Sequence, residues 1–159
     1  MPYASRDREW GPTPKEPVRD VLDVNARNVR TATIDAPRAR VSCAAKLNVK
    51  SDGPLDVVLA ECSAGLPKPA ECVDRRRFSF RLHHYQHTRM VRVRVYVNNK
   101  RVLSKRGRDI RRVTIRRLPP ERFNVKIVST QSTGSQLVSS RTYTGCTKGR
   151  PRTRRHHHR

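Results

Sequence analysis

"MVRVRVYVNNKRV", residues 90–102, sets Val91, Val93, Val95 and Val97 on one side of an alternation and Arg92, Arg94 and Tyr96 on the other. A period of two is the repeat of a strand with one face in a core and one in water. The stretch therefore predicts a central strand that enters a hairpin at Asn98-Asn99, since asparagine accepts positive φ at small cost and "KRVLSK" then resumes an extended run. The arginines point outward by the same period. Two readings of that face stand side by side: a contact surface for an anion, and the solvated side of a small sheet.

Moving outward from this strand, the flanking sequence has the same texture. "FSFRLH" places Phe78, Phe80 and Leu82 on one face. "RRVTIRRL" offers Val113, Ile115 and Leu118 before Pro119-Pro120 breaks the strand, and "RFNVKIVS" follows with Phe123, Val125 and Ile127. "TQSTGSQ" is a polar turn, and "LVSSRTYTGC" closes the set at Cys146. Short strands at regular spacing with turn signals between them are the pattern of an all-β antiparallel sandwich or barrel. Burying about three apolar side chains per strand contributes roughly 1.5–3 kcal/mol per side chain. Backbone ordering offsets most of it.

These elements, in this order, resemble the immunoglobulin-like or fibronectin-III-like accessory modules at the C-termini of secreted and cell-surface proteins of high-GC Gram-positive bacteria, the actinobacteria. "VYVNNKRV" is similar to their "vyvNGkrv" hairpin, and "LPPERFNVKIVSTQSTGS" to their "LPxGxfxVxIxaxdxxGx" strand and turn. The resemblance covers residues 72–147 and departs from the pattern at Asn99 and Glu121, where glycine is usual. It implies a non-catalytic extracellular module, often appended to a secreted enzyme or adhesin.

The chain has 159 residues, 35% of them apolar, and a formal net charge of +23. Residues 1–72 carry 11 basic against 10 acidic side chains, residues 73–147 carry 19 against 3, and residues 148–159 carry 6 against none. The jump in basicity near Cys72 suggests a boundary there. The expected organisation is a disordered lead-in at 1–17, a partial β-unit at 18–66 and a linker at 67–71 within "AGLPKPAE". The sandwich at 72–147 and a disordered basic tail at 148–159 complete it. A strand at Val29 to Ile34 is expected in the partial unit. So large a charge steers toward polyanions of every kind. Of the 36 basic residues 28 are arginine, a bias that an Arg-favouring genome explains without selection at each site. No aromatic-interleaved groove or nucleic-acid motif accompanies the charge. The longest apolar run is "VVLA", Val57 to Ala60, far short of a membrane span, and charges occupy the N-terminal stretch where a signal peptide has its apolar core.

Cys43, Cys62, Cys72 and Cys146 are even in number and form no Cys-x-x-Cys pair, which favours disulfides over metal; four reduced thiols in a cytosolic protein are the alternative. "VSCAAKLNVK" and "LDVVLAEC" around "SDGP" read as a hairpin at 41–62. With Lys50 facing Leu55, Cys43 falls opposite Cys62, Ala45 opposite Ala60 and Leu47 opposite Val58. Directly opposed strand positions suit a disulfide. The remaining pair, Cys72 with Cys146, ties the first strand of the sandwich to its last, worth roughly 4–5 kcal/mol in the chain-entropy model. Disulfides imply an oxidising compartment, extracellular or at the cell surface, with the cytoplasm the runner-up.

No constellation points to a reaction. His83, His84 and His87 lack the Glu of a His-Glu-x-x-His helix, and His156 to His158 belong to the tail. Asp52 falls in a turn, while Asp56 and Glu61 fall on opposite faces of their strand, so they do not converge as a hydrolase pair. Neither a nucleophile elbow nor a P-loop occurs. Trp10 lies outside the strands; Tyr85, Tyr96 and Tyr143 are candidate surface aromatics. The expectation is no catalytic residue, metal or cofactor, and no small-molecule substrate. Arg92, Arg94, Arg111, Arg112, Arg116 and Arg117 are the candidate contact for an anionic cell-wall polymer or another polyanion. The alternatives are a small basic nucleic-acid-binding protein and the C-terminal fragment of a secreted enzyme.

Overall fold

The computed structural model describes residue 11, residues 19–69 and residues 71–147. Apart from Gly11, the lead-in lies outside the described residues, as do Val18 beside it, Ala70 of the expected linker and the basic tail, and with them Trp10 and His156 to His158. Ten strands are present and, among the described residues, no helix: β1 (Val21–Ala26), β2 (Thr31–Asp35), β3 (Lys46–Ser51), β4 (Asp56–Ala60), β5 (Phe78–Arg81), β6 (Met90–Val97), β7 (Lys100–Arg106), β8 (Arg112–Ile115), β9 (Arg122–Gln131) and β10 (Gln136–Thr144).

A six-stranded sheet in the order β2-β4-β10-β9-β6-β7 forms one layer of a sandwich. The β5-β8 pair packs on its inner face, where Phe80, Val113 and Ile115 share one buried cluster with Val93, Val95, Val125 and Ile127. Phe78 of β5 meets Tyr143 of β10 edge-on, with ring centroids 5.1 Å apart. The six strands expected within 72–147 are all there, and the inward residues are those the alternation selects. β6 differs in one detail. A bulge between its first pairs to β9, Met90 with Gln131 and Arg92 with Thr130, leaves Val91 as the extra residue. Met90 is thereby fully buried beside Val93 and Val95, while Val91 is half-buried, so the inner face is Met90, Val93, Val95 and Val97 rather than four valines. The turn at Asn98-Asn99 has φ of 47° and 65°, both left-handed, as a two-residue hairpin requires.

The hairpin expected at 41–62 does not form. β3 pairs in parallel with β1, and β4 pairs in parallel with β2, so β3 and β4 lie in different sheets. The chain passes from the small sheet to the large one at 52–55, in step with the same passage at 27–30. The Asp52 carboxylate accepts the Asn28 N–H at 3.0 Å and holds the two corners together. Pro54, which has no N–H to give, suits a corner better than a tight turn. β4 then joins β10 in parallel at Val58 and Gln136, so the sandwich is mixed rather than purely antiparallel. The charge step at Cys72 consequently does not separate two cores: Ala36, Leu59, Cys62 and Leu66 belong to the same buried cluster as Val93 and Phe123. The expected linker is also anchored at its start, where Pro67 O accepts the Tyr143 hydroxyl at 2.6 Å.

Both disulfides join the expected partners. Cys43–Cys62 has its Cα atoms 5.7 Å apart, and Cys72–Cys146 has them 5.1 Å apart. Beside the second, Val73 N–H donates to Thr144 O at 2.9 Å and Cys146 N–H to Val73 O at 3.0 Å, so the staple reinforces a parallel bridge between entry and exit.

Candidate polyanion-binding surface

The outward face of the large sheet is built by parity. Side chains opposite one another on paired strands project to the same side. Arg92 lies opposite Thr130 and Arg106, Arg94 opposite Val128 and Ser104, and Tyr96 opposite Lys126 and Arg101. The face therefore gathers Arg92, Arg94, Arg101, Arg106 and Lys126 around Tyr96, on the side away from Val93 and Val95. A second bulge, between Val95 and Tyr96 on the β7 side, skips Val102 and leaves it 47% exposed. β6, β7, β9 and β10 contain no Asp or Glu. Beyond them the nearest acid in register is Asp56 at the start of β4, whose carboxylate accepts the Gln136 amide at 3.0 Å.

Arg92 and Arg94 do not simply stand up into water. Both are half-buried, and the Nε of each is out of solvent without a hydrogen-bond partner among the described residues. Val128, outward on β9 and directly opposite Arg94, is only 8% exposed, as expected where long arginine stems cover apolar surface. Arg92 directly opposite Arg106 is a like-charge cross-strand pair, which by itself destabilises a sheet.

The six arginines singled out in the sequence are not one surface. Arg111 and Arg112 sit at one end of β8 and Arg116 and Arg117 just past the other, on the layer opposite to Arg92 and Arg94. At the first end Asp109 Oδ2 accepts Arg111 Nε at 3.0 Å and its Oδ1 meets His84 Nε2 at 2.9 Å. The hydrogen bond from Arg111, followed by that from His84, holds the Asp109 carboxyl below the usual range against the opposing effect of desolvation. At the second end Arg116 and Arg117 line an open depression with Arg75 and Arg76, which the sequence reading passed over although "RRR" at 75–77 marks the place. Arg101, Arg106 and Lys126 were also passed over as members of the sheet face. Only the pairing of β6 with both β7 and β9 brings them together.

The remaining candidates are dispersed. His84 turns to Asp109, while His83 packs against Tyr85 with centroids 4.6 Å apart and the rings tilted by 44°. Asp52, Asp56 and Glu61 do not meet: the first bonds Asn28, the second Gln136, and Glu61 is exposed at a φ of 63°. Tyr143 is no surface aromatic. It is 2% exposed within the core, and burial raises its hydroxyl above the usual tyrosine range. Tyr85 donates to Ser63 O at 3.3 Å and is likewise raised by burial, leaving Tyr96 as the tyrosine of the basic face.

No protein-family model matches the chain, and no curated protein matches it. Among solved structures, the fibronectin(III)-like modules of Clostridium thermocellum CbhA align at 9% identity with a TM-score of 0.40, over 52% of this chain and 94% of that one. The spore cortex lytic enzyme SleM of Clostridium perfringens aligns at 12% identity with a TM-score of 0.37, over 46% of this chain and 25% of that one. Similarity at this level assigns neither a family nor an activity.

Proposed function

We propose that the protein is a non-catalytic, exported accessory module that holds to an anionic polymer of the cell envelope through the outward face of β6, β7 and β9. One observation carries this reading: four adjacent strands hold no acidic residue, and five cations share one of their faces. A face with opposed arginines and no carboxylate to relieve them gains stability when an anion neutralises it. The two disulfides favour the envelope over nucleic acid as the source of that anion, because stable disulfides belong to oxidising compartments.

The test is co-sedimentation of the full chain with isolated cell walls that retain their anionic polymers and with walls stripped of them. Retention by the first alone, weakening with added salt and abolished by Arg101→Glu, Arg106→Glu and Lys126→Glu together, is the expected result. These three side chains are exposed, so the variant keeps the fold. Equal retention by stripped walls overturns the reading. So does stronger binding to duplex DNA than to wall polymer at equal charge concentration, which would return the protein to the nucleic-acid class.

A further inference from the structure

At the end of the sandwich closed by Cys72–Cys146, an open depression of about 970 Å³ is lined by Arg75, Arg76, Arg116 and Arg117, with Asp74 and Thr147 among its other walls. We propose that it is a binding site for a single phosphate group, as a monoester or a diester. The inference is independent of the sheet-face reading.

The depression is built rather than merely charged. Arg75 Nε donates to Leu118 O at 3.0 Å, and Leu118 N–H donates to the Arg75 carbonyl at 3.0 Å, so the guanidinium is tied to the same stretch that its own backbone pairs with. Its stem runs past Gly145, where a Cβ would press on the Arg75 side chain and overlap Pro119 O. The Arg117 backbone is held at a φ of 57°, a left-handed conformation that arginine rarely adopts and that local structure must impose. The disulfide at Cys146 and the Val73–Gly145 bridge fix the wall on the other side. None of the four arginines forms an ion pair among the described residues, where Asp109 alone serves as an acid partner. Asp74 is the one acid in the lining, and its Oδ1 is occupied by the Arg76 backbone N–H at 2.9 Å.

Four guanidinium groups approaching from two separate segments suit a ligand with several oxygens. A carboxylate fills one guanidinium fork. A tetrahedral phosphate has oxygens to share between forks on different segments, the geometry in which arginine outperforms lysine. Prior placement of the Arg75 guanidinium lowers the ordering cost of binding.

The test is titration of the full chain with inorganic phosphate at fixed ionic strength, followed through the arginine Nε–Hε resonances, with acetate as the control anion. Saturable shifts confined to Arg75, Arg76, Arg116 and Arg117 are expected, with a Kd on the order of 1 mM or tighter. The double variant Arg116→Gln and Arg117→Gly is expected to weaken phosphate at least tenfold without lowering the melting temperature, because glycine adopts the φ of position 117 freely. Arg76→Gln, at an exposed position, is the second variant. Shifts spread over the sheet face, an affinity no tighter than that for acetate, or unchanged phosphate binding in both variants overturns the proposal. Competition by poly(glycerol phosphate) supports a polymer-borne diester as the source of the phosphate, and phosphate binding without such competition supports a monoester. Undiminished wall binding in the sheet-face variant, with phosphate titration intact, defeats the sheet-face reading alone.

Discussion

Single residues decide the sharpest features of this sandwich. The turn after β6 works with Asn99 because asparagine tolerates the left-handed region, and Asn98 adds a side-chain acceptor for Asn124 N–H at 2.9 Å. Asn99→Gly removes the residual strain at φ 65° and is expected to stabilise the protein by up to about 1 kcal/mol in a denaturant titration. Gly145 is the opposite case, required for closeness and not for its dihedral. Gly145→Ala places a methyl against Pro119 O and Arg75, and the expected loss is about 1–3 kcal/mol, read as a lower melting temperature. Asp109 gives a pH signature. Its carboxyl titrates lower in the folded chain than the ordinary 3.8, so its stabilising contribution is present above pH ~4 and disappears as the pH falls through the lower folded value. Asp109→Asn is therefore expected to flatten the acid side of a melting temperature against pH curve while leaving its shape above pH ~5 unchanged.

At the scale of elements, the two disulfides act on chain lengths that differ several-fold. Cys43–Cys62 spans 19 residues and Cys72–Cys146 spans 74. Chain entropy predicts losses of about 3 and about 4.5 kcal/mol when each pair is replaced by serine. Denaturant midpoints of the two double variants check the order, and a larger loss from the shorter loop would place the effect in native packing instead. β7 shows how the open edge of the large sheet is kept from pairing with another chain. It carries Lys100, Arg101, Lys105 and Arg106, and a bulge at Val102 interrupts its register.

At the scale of the whole molecule, a net charge of +23 on 159 residues works against compactness through self-repulsion. Added sodium chloride is expected to raise the melting temperature while weakening polymer retention, and a fall in both would contradict the charge-based account. Among the described residues of 72–147, cations gather in three separated places: the β6-β7-β9 face, the Asp109 corner and the Arg75–Arg117 depression. Much of this molecule was legible from residues 72–147 because alternation reports burial directly. Val93, Val95, Phe80, Val113, Phe123 and Ile127 had to face inward whatever they met there, and Asn98-Asn99 had to turn. Residues 18–66 were less legible. "VLDVNA" at 21–26 alternates too, yet nothing local says that its partner is β3, running parallel, rather than a neighbour across a turn. The Cys43–Cys62 pairing was reached through a hairpin that does not exist; the two thiols meet in the parallel arrangement as well. The basic surface followed the same rule: the outward direction of Arg92 and Arg94 was in the sequence, but their company was not. Periodicity along one chain segment determined what is buried and where the chain turns. Strand partners, parallel direction, the shared core across Cys72 and the grouping of the arginines were decided only in the tertiary structure, because each depends on contacts between segments far apart in sequence.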